Sequence, residues 1–342
     1  MRPFAFDVLR ALAPGEFRSG ESLARALAIS RGSVWHAVRE LEAAGLEIYK
    51  VRGRGYRLAQ KVSLLDSACV MSALAADGRF FSVDIVPCAA STNIMMLQRA
   101  GGGAPSGCVI AAEWQTAGRG RLGRAWHAGI GNALTFSLLW RFEQGAAALA
   151  GLSLAVGVAV VRALKALGVA GTGVKWPNDV LWQGKKLAGI LIEMQGDALG
   201  PSVVVIGIGL NVRLSAALHA RIDQPAADVE TALERNVDRN VLLAGLLKAL
   251  RDVLTVFAES GFRPFQREWQ SVHLLQGAPV TLTLPDGAST SGFAQGVTPE
   301  GALLLATDTG VKRFYSGEVS LRPAAGTHPV RCLPAVPRRT TS

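Results

Sequence analysis

Residues 118–124 read GRGRLGR. The first six letters have the G-x-G-x-x-G spacing of a dinucleotide-binding loop, yet Arg119, Arg121 and Arg124 are arginines. A Rossmann fingerprint needs a helix directly after its glycines, because the helix N-terminus holds the pyrophosphate. Here the loop runs into Ala125-Trp126-His127 and more glycine. No acid closes a following strand about 20 residues on, where the ribose contact belongs. The stretch is therefore not an NAD site. Guanidinium groups stay charged at physiological pH, and a close pair repels by roughly 4 kcal/mol at an effective dielectric near 20. Such a loop is expected to be mobile until an anion fills it, unless it is only a solvated basic turn. Triphosphate plus carboxylate would be such an anion.

On both sides of the loop the chain alternates strands and helices. FFSVDIVPCAAST (80–92) reads as a strand running into a Ser-Thr-Asn turn with a helix from Asn93, and GCVIAAEWQT (107–116) as a second strand. After the loop come a Gly-rich turn into the strand NALTFSLLW, an apolar helix over 146–167, and TGVKWPNDVLWQGKKLAGILIEMQG (172–196), a hairpin with its tip at Gln183-Gly184-Lys185. PSVVVIGIGLNV (201–212) closes a mixed sheet, as in an α/β domain. The apolar run at 146–161 carries two glycines and a serine and falls short of the roughly 18 residues of a membrane span, so a buried helix is expected.

Ahead of this domain, Phe4 to Leu12, SGESLARALAI (19–29) and SRGSVWHAVRELEAAG (30–45) have the spacing of three helices, the third capped by Ser30 and stopped at Gly45. At 100° per residue Val34, Val38 and Leu41 share one side, with Gly32, His36, Arg39 and Ala43 opposite and Trp35 at the edge. LEIYKV, a tight RGRG turn and YRL follow. Three helices and a basic ribbon make a winged helix-turn-helix. Its third helix would present Ser30, Arg31, Ser33, His36 and Arg39 to a major groove, and its wing, Lys50, Arg52, Arg54 and Arg57, would meet phosphates. The alternative is a small helical domain that docks on protein. Trp35 offers one donor for base readout and is expected to pack against the body instead.

Charge agrees with this. Of the net +10, residues 1–61 carry eleven Lys/Arg against six Asp/Glu, residues 322–342 carry four Arg and no acid, and the long middle is nearly balanced. An excess confined to the ends points to an anionic partner for the N-terminal module, beside the plainer reading of solubility. The four cysteines, Cys69, Cys88, Cys108 and Cys332, form no C-x-x-C pair; neither a zinc site nor a disulfide framework is expected, and a reducing cytoplasm suits them. MRPFAFDVLRAL is broken by Asp7 and Arg10 and does not read as a signal peptide. At the other end, residues 240–262 form an amphipathic helix with apolar residues at 243, 246, 247, 250, 253, 254 and 257. Residues 279–322 alternate over short strands broken by DG, PEG and DTG turns, as in a small SH3-like barrel. The Pro/Arg-rich remainder has no periodicity and is expected to be disordered.

STN (91–93), EWQTAGRGRLGRAW (113–126), KWPNDV (175–180), KKLAGILIE (185–193) and GIGLNV (207–212), in this order, closely resemble the biotin–protein ligases. The resemblance runs from about residue 4 to residue 322 and matches the bifunctional form, in which the ligase is also the biotin-operon repressor. It implies an α+β multidomain protein: a winged helix-turn-helix over 1–64, a class II synthetase-like α/β ligase domain with a mixed sheet over 65–270, an SH3-like barrel over 271–323, and a tail over 324–342. The implied activity joins biotin to ATP as biotinyl-5'-AMP and transfers the acyl group to a lysine of the biotin carboxyl carrier protein of acetyl-CoA carboxylase. The resemblance also implies a homodimer, promoted by biotinyl-AMP, that represses biotin-synthesis genes at an operator, with no membrane partner.

Carried over residue by residue, the family pattern puts Ser91, Thr92, Asn93 and Gln115 on the biotin ring system. Arg119, Gly120 and Arg121 lie along carboxylate and phosphate, with Arg124 in the same loop. Lys186 stands where acyl and phosphoryl oxygens meet, and Gly189, Gly207 and Gly209 let backbone approach the ligand. Trp126 covers the adenylate and Asn211 lies near the adenine. Asn178 and Asp179 assist Mg²⁺ or orient the incoming lysine, with no dedicated metal site. Lys186, Arg119, Arg121 and Asp179 are the implied catalytic set. HAGIGNAL (127–134) is shorter than the family pattern and lacks its Ser-Pro residues, which bears on how the adenylate is closed over. A biotin-sensing transcription factor without ligase activity, or a lipoate or octanoate ligase on the same fold, would share much of this pattern. The intact Lys186 and arginines speak against the first, and the polar Ser-Thr-Asn with Gln115 against the second.

Overall fold

The computed structural model describes residues 3–196, 200–284, 287–315 and 320–323. The tail over 324–342 lies outside the described residues.

Helices α1 (Pro3–Leu12), α2 (Gly20–Ala26) and α3 (Arg31–Ala43) precede the antiparallel ribbon of β1 (Ile48–Val51) and β2 (Gly55–Leu58). Ser30 caps α3, its hydroxyl accepting from Ser33 N at 3.0 Å. Val34, Ala37, Val38 and Leu41 turn into a core shared with Leu9, Leu12 and Leu23. The face carrying Arg31, Gly32, His36 and Arg39 is exposed, as the 100° periodicity requires. Trp35 departs from expectation. It does not pack against the body but is 47% exposed, with the Arg39 guanidinium 5.3 Å from its ring centre.

The middle of the chain comprises α4 (Ser67–Leu74), β3 (Ser82–Ala89), α5 (Thr92–Gly101), β4 (Cys108–Gln115), β5 (Ala133–Phe142), α6 (Leu152–Leu167), β6 (Thr172–Lys175), β7 (Asp179–Trp182), β8 (Lys185–Gly196), β9 (Ser202–Asn211), α7 (Ala216–His219), α8 (Val229–Leu233), α9 (Arg239–Ser260) and α10 (Gln266–Ser271). Its seven strands lie in the order β3-β4-β5-β9-β8-β7-β6. β3 and β4 are parallel and every other neighbour is antiparallel, a mixed sheet. The expected single helix over 146–167 is interrupted. A short 3-10 turn, Ala146–Leu149, precedes α6, and Gly151 between them has φ 82°. A Cβ there would lie 2.7 Å from Phe262 Cβ, so only glycine fits. The window 146–167 is long and apolar enough to cross a membrane, but its residues are mostly core: Leu154, Val158, Val161 and Leu164 pack with Leu243, Leu247 and Leu254 of α9. Each such side chain contributes roughly 1.5–3 kcal/mol by leaving water.

The C-terminal strands are β10 (Pro279–Thr283), β11 (Ser289–Val297), β12 (Leu303–Thr307), β13 (Gly310–Phe314) and β14 (Ser320–Pro323), an antiparallel sheet in the order β13-β12-β11-β10-β14. It abuts the main sheet at the turn between β6 and β7 through Trp176, which is buried and donates Nε1–H to Gly301 O at 3.1 Å.

At the seam between α10 and β6, His273 is 5% exposed and stacks on Trp269 at 4.5 Å. Burial pushes its imidazole down to about 4. The folded state thus refuses a proton that the unfolded chain accepts near 6.5, so stability is retained above that value and is lost as pH falls towards 4. The loss should approach about 3 kcal/mol. Urea melts of wild type and His273→Leu between pH 7 and pH 4 should show a smaller acid loss in the variant; parallel profiles would overturn the assignment.

Candidate active site

β3 and β4 run parallel with Ala89 opposite Gln115, so the turn into α5 and the arginine loop leave the sheet side by side. Gln115 joins them: its Oε1 accepts from Thr92 N at 2.7 Å and lies 3.3 Å from Thr92 Oγ1. Ser91, Thr92 and Asn93 are each 3% exposed. The arginine loop is a closed hairpin, with Trp126 N bonded to Gly118 O at 2.8 Å and Gly120 N to Arg124 O at 2.7 Å. Its turn places Leu122 at φ 55° and Gly123 at φ 71°. The loop folds back over β8 and β9, where Gly189 and Gly209 face each other across the ladder.

A cleft of about 1040 Å³, counted out to its open mouth, lies beneath the loop. Ser91, Thr92, Asn93, Gln115, Arg119, Gly120, Arg121, Arg124, Trp126, Asn178, Asp179, Lys186, Gly189, Gly207 and Gly209 all line it, residues from sequence positions more than a hundred apart. Five cationic side chains, the three arginines with Lys175 and Lys186, face one carboxylate, Asp179. Lys186 Nζ is 2.7 Å from Asp179 Oδ1, both side chains under one-fifth exposed. This is a charge contact rather than an aligned hydrogen bond. Burial lowers the Arg121 guanidinium from its ordinary value, Asp179 opposes that, and Arg124 adds to it. A cleft so lined favours a ligand with several negative charges.

The Lys186 backbone is anchored on both sides, its N–H donating to Pro225 O at 2.8 Å and its carbonyl accepting from Ala227 N at 2.9 Å. Asn211, expected near the adenine, does not line the cleft. It is buried and donates Nδ2–H to the carbonyls of Lys186 and Ala227, at 3.3 and 3.1 Å, so it steadies the lysine from behind. A Cβ on Gly209 would lie 2.4 Å from Trp126 Cε2, and one on Gly207 2.2 Å from Asn93 Oδ1. Protein side chains therefore fill the space above both, and the indole must shift before a ligand touches that backbone. Trp126 Nε1 is buried without a partner, a donor whose desolvation costs about 1–3 kcal/mol until something accepts from it. Both Nδ2 hydrogen bonds of Asn93 go to protein, to Glu193 Oε2 at 2.8 Å and Leu191 O at 3.3 Å.

Sequence reasoning passed over Lys175, Gln224, Ser137 and Glu193. Lys175 and Gln224 line the cleft. Ser137 Oγ is 2.5 Å from Asn93 Oδ1 and 2.8 Å from Thr92 Oγ1. Lys175 stands at the head of KWPNDV and Glu193 closes KKLAGILIE, so their place in the motifs was a usable signal. Ser137 is a hydroxyl in an apolar strand buried on both faces, itself a sign of an internal partner. Gln224 sits in a segment with no periodicity and left no signal.

On the winged helix, Arg31, His36, Arg39, Arg52 and Arg54 are exposed. Ser30 and Ser33 are engaged in the cap of α3, their hydroxyls 3.0 Å apart. The wing divides. Lys50 pairs with Glu42 at 2.7 Å, and Arg57 lies between Phe17 and Tyr49, 4.8 and 5.2 Å from their ring centres. Arg54 also stacks on Phe17, 4.3 Å from its ring centre, so these side chains tie the ribbon to α3 and to the loop between α1 and α2, while Arg52 and Arg54 stay exposed.

Residues 86–211 match the Biotin/lipoate A/B protein ligase family, 277–322 the Biotin protein ligase C terminal domain and 5–57 an HTH domain. The chain is 38% identical over 313 residues to the Bifunctional ligase/repressor BirA of Escherichia coli, covering 92% of this chain and 95% of that protein. It belongs to the biotin protein ligases, of the bifunctional ligase/repressor type. A protein of the same name from Bacillus subtilis is 34% identical over 314 residues, covering 90% and 95% of the two chains. The biotin protein ligase from Aquifex aeolicus, solved in complex with biotin and ATP, superposes with a TM-score of 0.62 at 30% identity, covering 71% of this chain and 99% of that one. Family membership accounts for the cationic cleft and the helix-turn-helix in one molecule. Among the described residues no group of three or more His, Cys, Asp or Glu forms a metal site.

Proposed function

We propose that this ligase converts biotin and ATP to biotinyl-5'-AMP and pyrophosphate, and then transfers the biotinyl group to a lysine of biotin carboxyl carrier protein. The observation that carries this is the convergence of Arg119, Arg121, Arg124 and Lys186 on the cleft that Ser91, Thr92 and Gln115 also line. A carboxylate is a poor acyl donor because its oxygen leaves badly. In the first step a biotin carboxylate oxygen attacks the α-phosphorus, a C–O–P linkage forms, and the bond to the β-phosphate oxygen breaks with loss of pyrophosphate. Two anions must meet for this, and fixed cations lower that barrier. Lys186 and Arg121 carry charge where the oxygens meet, and Arg119 and Arg124 hold the phosphate side. In the second step the lysine amine attacks the acyl carbon, a C–N bond forms, AMP departs with the C–O electrons, and the amine gives up a proton. Asp179, the carboxylate in the cleft, orients that amine.

Mg²⁺ would arrive with the nucleotide, held by phosphate oxygens and the Asp179 carboxylate beside Asn178, a coordination typical of that ion; bound, it neutralises phosphate charge. Trp126 covers the adenylate once its indole leaves the Gly189/Gly209 face. Residues 1–64 bind operator DNA through α3 and the Arg52–Arg54 turn, residues 65–270 form the ligase and 271–323 the accessory domain. The cytoplasmic homodimer forms when biotinyl-AMP is bound.

Biotin-dependent exchange of pyrophosphate into ATP tests the first step. Its presence, with biotin outcompeting lipoate for acylating a carrier domain, is expected. Operator binding without exchange would favour a sensor, and preference for lipoate a different substrate.

A further inference from the structure

Glu193 lies on β8, seven residues beyond Lys186, and does not itself line the cleft. Its carboxylate nevertheless meets both halves of the site. Arg119 Nη2 donates to Oε1 at 2.9 Å and to Oε2 at 3.1 Å, while Oε2 also accepts from Asn93 Nδ2 at 2.8 Å. Asn93 is locked in turn, with Ser137 Oγ on its other face and Gly207 leaving room for it. A continuous chain, Ser137–Asn93–Glu193–Arg119, thus ties the start of α5 to the arginine loop. Both Glu193 contacts use one terminal nitrogen of Arg119, Nη2.

We propose that Glu193 is a positioning residue: it aims the Arg119 guanidinium and, through Asn93, keeps the ring end of the cleft in register with the phosphate end. The proposal rests on the ligase reading for its consequence but not for its geometry. Three like charges within six residues repel one another, and a loop made of them needs a counter-charge to lie down on the sheet before any anion arrives. Glu193 supplies that counter-charge. Arg119 is 42% and Glu193 28% exposed, so solvent screens the pair and its worth to overall stability is small. Its effect is on aim. A guanidinium misplaced by an ångström at a charge-transfer step slows that step without unfolding anything.

The test is a double-mutant cycle in the full chain with Glu193→Gln, Arg119→Ala and the pair. Each single variant should lower kcat for biotin-dependent ATP–pyrophosphate exchange about tenfold, and the double no further than Arg119→Ala alone, because contacting residues are non-additive. Melting temperatures should stay at wild type. Glu193→Asp, a shorter carboxylate, should recover part of the loss. Hydrogen exchange of residues 118–126 without any ligand should be about tenfold faster in Glu193→Gln, since the clamp is present in the empty site. This arm stands apart from catalysis. If wild type shows no exchange activity, the ligase reading fails and loop protection alone decides the proposal. Additive losses in the cycle, or loop protection equal to wild type in Glu193→Gln, would overturn it.

Discussion

Lys186→Ala is expected to slow biotin-dependent ATP–pyrophosphate exchange by about a thousandfold while leaving the fold intact. The lysine is under one-fifth exposed and pairs with Asp179 at 2.7 Å. Its backbone is clamped between Pro225 and Ala227, so the ammonium has little freedom and acts at one point. Removing it deletes the cation where acyl and phosphoryl oxygens meet. It also leaves the Asp179 carboxylate without its partner, facing the ground that the incoming anions must cross. Both effects raise the barrier, and Arg121, the one loop arginine assigned to the same oxygens, makes good only part of the loss because its charge is held on the hairpin. Lys186→Arg should recover only part of the rate, because a planar fork replaces a point charge. The measurement is the initial rate of exchange at saturating biotin and ATP, with circular dichroism as the control for folding. A loss under tenfold would show that Lys186 is not at the reacting atoms.

The largest effect on stability is expected at Glu113 and Arg239. Arg239 is fully buried at the start of α9 and donates to Glu113 Oε2, to Ala133 O at 2.9 Å and to Ser63 O at 2.7 Å. The other oxygen of Glu113 accepts from Leu65 N. One ion pair therefore fastens the segment after the wing to β4, β5 and α9 together. Cutting one partner leaves an uncompensated buried charge, and Glu113→Ala should cost about 3–5 kcal/mol. A paired replacement, Glu113→Leu with Arg239→Met, should cost much less, because both charges leave together. Urea denaturation of the two variants separates these cases. Similar losses in the single and paired variants would mean that the charge balance is not what holds the junction. The segment also carries Val62 against Gly131 and Gln60 against Arg213 at 2.7 Å. Loosening it should therefore reach the residues just after Trp126 as well as the DNA-binding module.

Much of this was readable from residue order. The α3 cap, its buried stripe and the wing follow from Ser30, from the spacing of Val34, Val38 and Leu41, and from the RGRG turn, because those are local rules of capping and periodicity. Most strands of the central sheet were legible for the same reason, although the hairpin read over 172–196 is three strands, with β6 turning into β7 at Trp176-Pro177-Asn178; α9 was legible too, and its seven marked apolar positions are all buried. The cleft was legible by a different route. STN, the arginine loop, KWPNDV, KKLAGILIE and GIGLNV carry the family's pattern, and the fold brings all five to one place. The break at Gly151 was not legible, since it depends on Phe262 arriving from more than a hundred residues away.

By itself, then, the chain's order determined what is local or carried in short motifs: the helices and strands, the concentration of positive charge in one loop and one wing, and the family. Only the tertiary structure decided which polar side chain answers which. Asn211 turned out to brace Lys186 rather than face the cleft, and Asn93 to be spent on Glu193. The indole of Trp126 lies on the glycines, Lys50 pairs with Glu42 of α3, and Arg57 lies between Phe17 and Tyr49. The reason is physical. Periodicity reports which way a residue points, but hydrogen bonds and ion pairs depend on distances of a few ångströms between segments far apart in sequence, and packing alone sets those distances.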